Sequence, residues 1–181
     1  MPSPHLRLLR APEASHAGLE VVMTVEAAYR RYAAFAASLI LRITGSRESV
    51  DDLVQDVFLL VTRKLSTLRQ PESAKAWIAA TAVNVARGAL RKRKLMSRFG
   101  FTQADGYEDI AGDEVSPFDR VLLARVYRAL DQLSVDERMA WALRHLEGEK
   151  MDQVAQLCGC SLSTAKRRVE SAHARMKEAV G

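Results

Sequence analysis

The 181-residue sequence has little of what secreted and membrane proteins rely on. Its two cysteines, Cys158 and Cys160, are too close in the chain for an ordinary disulfide framework. No run of about 18 apolar residues offers a membrane span, and the N-terminus has no continuous apolar stretch of signal-peptide length. Nine glycines and five prolines are too few for a low-complexity chain. We therefore expect a globular protein of a reducing compartment, the cytoplasm.

The sequence also lacks the motifs of common enzymes. It contains no P-loop and no GxGxxG, HExxH or GxSxG motif. The four histidines are scattered without metal-ligand spacing, and a zinc site at the two cysteines would need two further ligands. We therefore expect no enzymatic activity, no cofactor, no metal site and no small-molecule substrate.

Helical periodicity is the strongest pattern that is present. Apolar residues recur three or four positions apart in the N-terminal part of the chain, in three stripes: Val25, Tyr29, Tyr32, Phe35, Ala36, Leu39, Ile43; then Val50, Leu53, Val54, Val57, Phe58, Val61; then Ile78, Ala82, Val85, Ala89. Patterns typical of strands are weak throughout. The sequence predicts an all-α fold.

The C-terminal part has its own helix signals. Ser116-Pro117 predicts a helix start, followed by the stripe Leu122, Val126, Ala129, Leu130, Leu133. Ser134 and Glu137 form a predicted capping box. Gly159 then separates a short helix from the last one, whose Leu162, Ala165, Val169, Ala172 and Met176 face inward. This spacing predicts a helix-turn-helix.

The net charge of +5 is the remainder of separated blocks. Residues 48–56 carry four acids and no base, 87–98 six bases and no acid, 99–119 six acids and no base, and 163–177 five bases and one acid. With the unpatterned N-terminus, these blocks predict four segments: a flexible leader (1–22), a helical domain (23–98), a flexible acidic linker (99–116) and a helix-turn-helix domain (117–181). Met23 is an alternative translation start.

Three helix faces are candidate binding surfaces. The last helix presents Ser163, Thr164, Lys166, Arg167, Arg168, Ser171 and Arg175, and its cations suit DNA phosphates and guanine edges. The third predicted helix presents Asn84, Arg87, Arg91, Lys92, Arg93 and Lys94. The second presents Asp51, Asp52, Gln55 and Asp56 beside Leu59, which is either a solvated face or an interface anchor with a charged rim.

Together these residues resemble the extracytoplasmic-function (ECF) sigma factors, a compact two-domain class of bacterial transcription initiation factors. The stretch Asp51–Phe58 resembles the family's region 2.2 helix, and Trp77, Asn84 and the Arg91–Lys94 run resemble its −10 recognition and strand-opening helix. The segment from Ala129 to His145 resembles the start of region 4, and the helix-turn-helix resembles its −35 reader. The chain departs from the family at Ser163-Thr164-Ala165, where Gly-Thr-Val is common, and at Ser171, where Arg is common.

The resemblance implies partners and roles for each surface. Asp51, Asp52, Gln55, Asp56 and Leu59 would bind the beta-prime clamp helices of core RNA polymerase, and the C-terminal domain would contact the beta flap. The third helix would hold the melted −10 element, and the last helix would bind the −35 duplex. An anti-sigma factor is a further implied partner.

Two other classes of function remain as alternatives. A polymerase-independent helix-turn-helix regulator explains the last two helices but not the acidic stretch at 51–58. An enzyme acting on nucleic acid would need a carboxylate or metal cluster, whereas the acids here lie on one helix face and in the linker.

Overall fold

The computed structural model describes residues 23–64, 73–101, 107–110 and 115–180. Within these ranges the chain forms seven α-helices and one short 3-10 helix, with no strand, which confirms the all-α prediction. They are α1 (Val25–Thr44), α2 (Val50–Lys64), α3 (Ala74–Arg98), the 3-10 helix (Tyr107–Ile110), α4 (Pro117–Asp131), α5 (Val135–His145), α6 (Met151–Cys158) and α7 (Leu162–Val180). The predicted leader and the parts of the linker at 102–106 and 111–114 lie outside the described residues.

Helix ends follow the capping signals of the sequence. The Thr24 side chain accepts a hydrogen bond from the Ala27 amide at the start of α1. The capping box of Ser134 and Glu137 forms at the start of α5, as predicted. At the start of α7, the Ser161 Oγ accepts a hydrogen bond from the Thr164 amide at 3.2 Å.

Helices α1 to α3 pack against one another as an N-terminal unit. Most residues of the predicted stripes are buried, and Ile43, Val57, Val61 and Ile78 are fully enclosed. The core also contains buried residues that the stripes did not include: Ala28, Ile40, Val83, Ala86 and Leu90. Helices α4 to α7 form a C-terminal unit, in which α6 and α7 are joined through Gly159 in the left-handed conformation (φ 62°). The helix-turn-helix is therefore present as the sequence predicts.

Three residues assigned to inward-facing stripes are exposed, and one of them is Leu162, 39% exposed at the first position of α7. Tyr29 is 51% exposed, because Ala28, one position earlier, faces the core in its place. Leu122 is 42% exposed, because the face of α4 that packs against the 3-10 helix and α7 carries Ala124 and Tyr127. Periodicity alone does not locate the edge of a stripe to better than one residue.

The two units contact each other through α5, which packs against α1 and α3. One continuous cluster of buried apolar residues includes side chains from both units, among them Ile43 and Met139. The 3-10 helix inside the predicted linker is also packed, since Tyr107 and Ile110 are buried and Tyr107 stacks on Tyr127 at 5.4 Å. The chain therefore folds back on itself between α3 and α4.

Candidate functional site

The acidic face of α2 is exposed along its length. Asp51, Asp52, Gln55 and Asp56 all lie at the surface, because the buried side of α2 is formed by Val50, Val54, Val57, Phe58 and Val61. Leu59 stands beside the acids with 53% of its surface exposed. All five predicted polymerase-binding residues therefore share one accessible helix face.

A shallow groove runs beside this face, between α1 and α2. It is lined by Tyr29, Asp51, Val54, Gln55, Phe58, Leu59 and Thr62. The Tyr29 ring meets the Phe58 ring edge-on, with the centroids 4.8 Å apart. The sequence analysis placed Tyr29 in the buried stripe and so missed it as a surface residue. The available signal was the small residue Ala28 just before it, which is the one that is buried. The groove gives the acidic face an apolar floor.

Helix α3 presents part of its polar set to solvent. Asn84, Arg91 and Lys92 are exposed, and the Asn84 Oδ1 accepts a hydrogen bond from Arg87 at 3.5 Å. Residues 84 and 91 are seven positions apart and therefore lie on the same side of the helix. These three side chains are accessible to a ligand as the chain stands.

The other cations of α3 turn toward the C-terminal unit. Arg87 donates to the Leu157 carbonyl at 3.2 Å, and Lys94 donates to the Leu133 carbonyl at 2.6 Å. Arg93 pairs with Asp131 at 2.8 Å. The predicted −10 surface is therefore split between a solvent-facing part and a part in contact with α4 to α6.

The last helix shows a similar division. Lys166 and Arg167 are exposed and make no ion pair within the described part of the chain. Ser163 and Thr164 lie beside the capping hydroxyl of Ser161, at 3.0 and 2.9 Å. The N-terminal turns of α7 thus carry the accessible cations of the helix-turn-helix.

The remaining predicted residues of α7 contact the start of α5. Arg168 pairs with Asp136 at 3.0 Å, and Arg175 pairs with Glu137 at 3.3 Å. Ser171 donates to Glu137 at 2.8 Å. Burial by itself would raise the pKa of Glu137, but hydrogen bonds from Ser134 and Ser171 and the charge of Arg175 outweigh it and lower that pKa.

Comparison with known protein families accounts for both units. The model of Sigma-70 region 2 matches residues 28–95, and the model of Sigma-70 region 4 matches residues 123–176, together about two thirds of the chain. The chain belongs to the sigma-70 family. Its curated relatives carry the name of the ECF class, including the ECF RNA polymerase sigma-E factor of Escherichia coli K12 (29% identical over 148 residues, 77% of each chain). The sigma factor EcfG of Rhodopseudomonas palustris is 29% identical over 144 residues, 79% of this chain and 75% of the relative.

Solved structures support the ECF sigma factor fold. The sigma factor RpoE of Bartonella quintana, in complex with the anti-sigma factor NepR, superimposes with a TM-score of 0.62 at 22% identity, covering 84% of this chain and 93% of that one. CnrH, in complex with the cytosolic domain of CnrY, gives a TM-score of 0.56 at 23% identity, covering 85% of each chain. These similarities extend over both units of the sigma factor.

Sequence reasoning missed the acidic partners of the sigma factor's own cations. Asp131, Asp136 and Glu137 lie at the junction of α4 and α5 and bind basic side chains of α3 and α7. The capping box was the only signal in the sequence that concerned any of these three acids. It includes Glu137 but assigns no role to Asp131 or Asp136. A block of like charges is defined by residues that are close in the sequence. These ion pairs join residues more than 30 positions apart, so the blocks could not predict them.

The described part of the sigma factor offers no metal site. Within residues 23–64, 73–101, 107–110 and 115–180, no group of three His, Cys, Asp or Glu side chains could hold an ion. Burial raises the pKa of the Cys158 thiol, which disfavours the reactive thiolate. No helix within these ranges is both long and apolar enough to cross a membrane.

Proposed function

We propose that this ECF sigma factor binds core RNA polymerase and directs it to promoters that carry −35 and −10 elements. The observation that carries the proposal is the order of surfaces along the chain, an acidic face on α2 followed by a basic α3 and a helix-turn-helix. The region 2 and region 4 matches cover the same three surfaces. A polymerase-independent regulator would have no use for the α2 face.

The acidic face of α2 is the proposed docking surface for the polymerase clamp helices. Asp51, Asp52 and Asp56 supply negative charge, and Leu59 supplies an exposed apolar anchor beside the groove. Opposite charge at the rim speeds association, while an apolar centre contributes most of the affinity. The beta flap is the proposed polymerase contact of the C-terminal unit.

Helix α3 is proposed to hold the −10 element. The Asn84 amide would bond an exposed base, and Arg87 with the Arg91–Lys94 run would neutralise the strand backbone. The start of α7 is proposed to enter the major groove of the −35 duplex, with Lys166 and Arg167 toward DNA. Core RNA polymerase supplies the catalytic activity in this proposal, and the sigma factor acts in the cytoplasm.

An anti-sigma factor is a further proposed partner. Both structural neighbours were solved in complexes, RpoE with the anti-sigma factor NepR and CnrH with the cytosolic domain of CnrY. The exposed groove between α1 and α2 and the exposed apolar side chains of α4, Phe118, Val121 and Leu122, offer such a protein two apolar surfaces.

Promoter-specific run-off transcription with purified core polymerase tests the proposal. We expect transcripts that depend on adding this chain, and duplex binding without any dependent transcript would contradict it. The double variant Asp52→Lys, Asp56→Lys should lose pull-down of core polymerase and transcription while keeping its thermal unfolding midpoint.

The matched control places the same change of charge elsewhere. Asp152 and Glu178 are exposed acids of the C-terminal unit, on α6 and α7. The variant Asp152→Lys, Glu178→Lys should still pull down core polymerase. Equal loss in both double variants would mean that net charge, and not the α2 face, governs binding.

A further inference from the structure

The groove between α1 and α2 leaves apolar side chains uncovered. Tyr29 and Leu59 keep 51% and 53% of their surface exposed, and the Phe58 ring meets the Tyr29 ring edge-on at 4.8 Å. All three line the groove, and Asp51 is the only charged residue of the seven that do. An exposed apolar surface with a polar rim is typical of a binding site. The groove therefore suits an apolar ligand that also carries positive charge.

The acids beside the groove have no cation paired with them. Within the described ranges, none of Asp51, Asp52 and Asp56 forms an ion pair. Asp52 and Asp56 are four positions apart on one helix face, where like charges repel each other. A bound cation would offset this repulsion. The α2 face thus favours a segment that contains arginine or lysine.

The leader (residues 1–22) contains a segment with this chemistry. Residues 6–10 read Leu-Arg-Leu-Leu-Arg, with three leucines and two arginines in five positions. The first acid of the chain is Glu13, so residues 1–12 have no negatively charged side chain. The leucines match the apolar floor of the groove, and the arginines match the acids at its rim.

The leader is long enough to reach every part of the groove. It ends next to Met23, and α1 begins at Val25, four positions before Tyr29. The twelve residues between Arg10 and Met23 span up to about 40 Å when extended. Residues 51 and 62 of α2, which mark the two ends of the groove, are about 16 Å apart at the helical rise per residue. Residues 6–10 can therefore bind to their own chain.

Attachment to the same chain makes even a weak contact effective. Short linkers hold two tethered partners at an effective concentration on the order of 1 mM. A contact with a dissociation constant of about 100 μM, weak for separate molecules, would then be formed in about 90% of chains. A second copy of the chain at micromolar concentration has no such advantage. The groove of the same chain is therefore the favoured site.

We propose that residues 6–10 of the leader bind in the groove between α1 and α2 of their own chain. Their leucines pack on Tyr29, Phe58 and Leu59, and their two arginines pair with acids of the α2 face. The bound leader covers the surface proposed for the polymerase clamp helices, so polymerase must displace it. This competition rests on the proposed function, whereas the leader contact itself does not.

Charge reversal in the leader tests the contact with a peptide probe. The probe is a fluorescein-labelled peptide of residues 1–22, titrated with the full chain and followed by anisotropy. The leader of the unsubstituted chain competes with the probe, whereas in Arg7→Glu, Arg10→Glu the acids of α2 repel the leader. We expect this leader variant to bind the probe about tenfold more tightly, because a site that is about 90% occupied loses about tenfold in apparent affinity.

Three further double variants locate the effect. Leu8→Ser, Leu9→Ser leaves the charge unchanged and should also tighten probe binding. Arg125→Glu, Lys177→Glu changes the charge as the leader variant does, at exposed positions of α4 and α7, and should match the unsubstituted chain. Asp52→Lys, Asp56→Lys, added to the leader variant, should abolish probe binding while keeping the thermal unfolding midpoint.

Several outcomes overturn the proposal. Equal probe affinity in the unsubstituted chain and the leader variant would show that the leader does not occupy the groove. Probe binding that survives Asp52→Lys, Asp56→Lys would place the site elsewhere. A dimer in light scattering of the unsubstituted chain that the leader variant loses would place the leader in a second copy.

The competition with polymerase has its own measurement. In titrations with core polymerase, the leader variant should bind about tenfold more tightly than the unsubstituted chain, and equal affinity would refute the competition. The peptide measurements contain no polymerase, so they can succeed when run-off transcription fails. Failure of the proposed function is therefore distinguishable from failure of the leader contact.

Discussion

At the scale of single residues, Gly45 is constrained twice. It ends α1 in the left-handed conformation, with φ at 68°, where side chains with a Cβ are disfavoured. A Cβ at this position would also lie 2.4 Å from Cδ1 of Tyr127, a ring held in place by stacking on Tyr107. The conformation and the close approach belong to the same contact between the units.

Gly45→Ala should therefore destabilise the protein by about 3 kcal/mol, since backbone strain and overpacking each cost about 1–3 kcal/mol. Urea unfolding followed by circular dichroism measures the change. Gly88→Ala is the control, because Gly88 is helical and a Cβ there would meet nothing within 4 Å. That variant should gain about 0.5–1 kcal/mol. Equal effects at the two glycines would contradict this account of Gly45.

His145 is a second residue with a measurable environment. Its ring lies 5.0 Å from that of Trp141 and stacks at 5.1 Å on His173 of α7. Burial lowers the pKa of His145, and the nearby charges of His173 and Arg144 lower it further. A histidine with a lowered pKa in the folded state favours folding when it is neutral.

The neutral His145 should contribute fully to the free energy of unfolding above the pKa of an unfolded histidine. This contribution should be lost as the pH falls through the lower pKa of His145 in the folded protein. Urea midpoints should therefore drop between about pH 7.5 and about pH 5.5. The drop should be smaller in His145→Gln, which cannot take up the proton. The same drop in both proteins would exclude His145 as its source.

At the scale of elements, the cations of α7 fall into two groups, one exposed and one paired with acidic side chains. Lys166 and Arg167 are exposed on its first turns, whereas Arg168 and Arg175 are paired with acids of α5. A paired arginine must first exchange a protein carboxylate for a DNA phosphate. For the DNA contact proposed for α7, the cations at the start of the helix are therefore more accessible than those in its middle.

Arg167→Ala should weaken binding to a promoter duplex and lower the magnitude of the salt dependence of log K by about one, because one phosphate contact is lost. Arg168→Ala should change that slope less and the thermal midpoint more, since it removes the pair with Asp136. Anisotropy titrations at several salt concentrations and thermal melts separate these effects. A larger change of slope for Arg168→Ala would contradict this assignment.

At the scale of the whole molecule, the two units share one apolar cluster and one buried arginine. Arg138 bonds two α1 carbonyls and also pairs with Asp131 in its own unit. A buried guanidinium with all three nitrogens bonded is costly to remove, because its partners lose their hydrogen bonds together. Arg138 should therefore couple the unfolding of the two units.

We expect one calorimetric transition for the unsubstituted chain and two resolved transitions for Arg138→Ala. The destabilisation should reach about 3 kcal/mol, typical of breaking a buried charged network. Arg144→Ala removes an exposed arginine of the same helix, whose bond to the Glu149 carbonyl stays within the C-terminal unit. That control should keep a single transition, and two transitions in both variants would refute the coupling role.

Much of the fold follows from local patterns in the sequence. The apolar stripes, the capping box at Ser134 and the turn at Gly159 predicted the helices and the helix-turn-helix, because each depends on neighbours within about one helical turn. The acidic face of α2 was also predicted completely, since a charged helix face needs no distant partner. Tyr29, Leu122 and Leu162 were the errors, because each lies at the edge of a stripe and is exposed.

Other properties depend on residues that are distant in the sequence. The sequence by itself determined which side chains are the proposed contacts for polymerase and DNA: the acids of α2, the cations of α3 and the start of α7. Only the tertiary structure decided which are free, because Arg93 meets Asp131 and Arg138 meets the end of α1 across 38 or more positions. The physical reason is that periodicity and charge blocks record local spacing, whereas hydrogen bonds between packed helices depend on where the chain turns back.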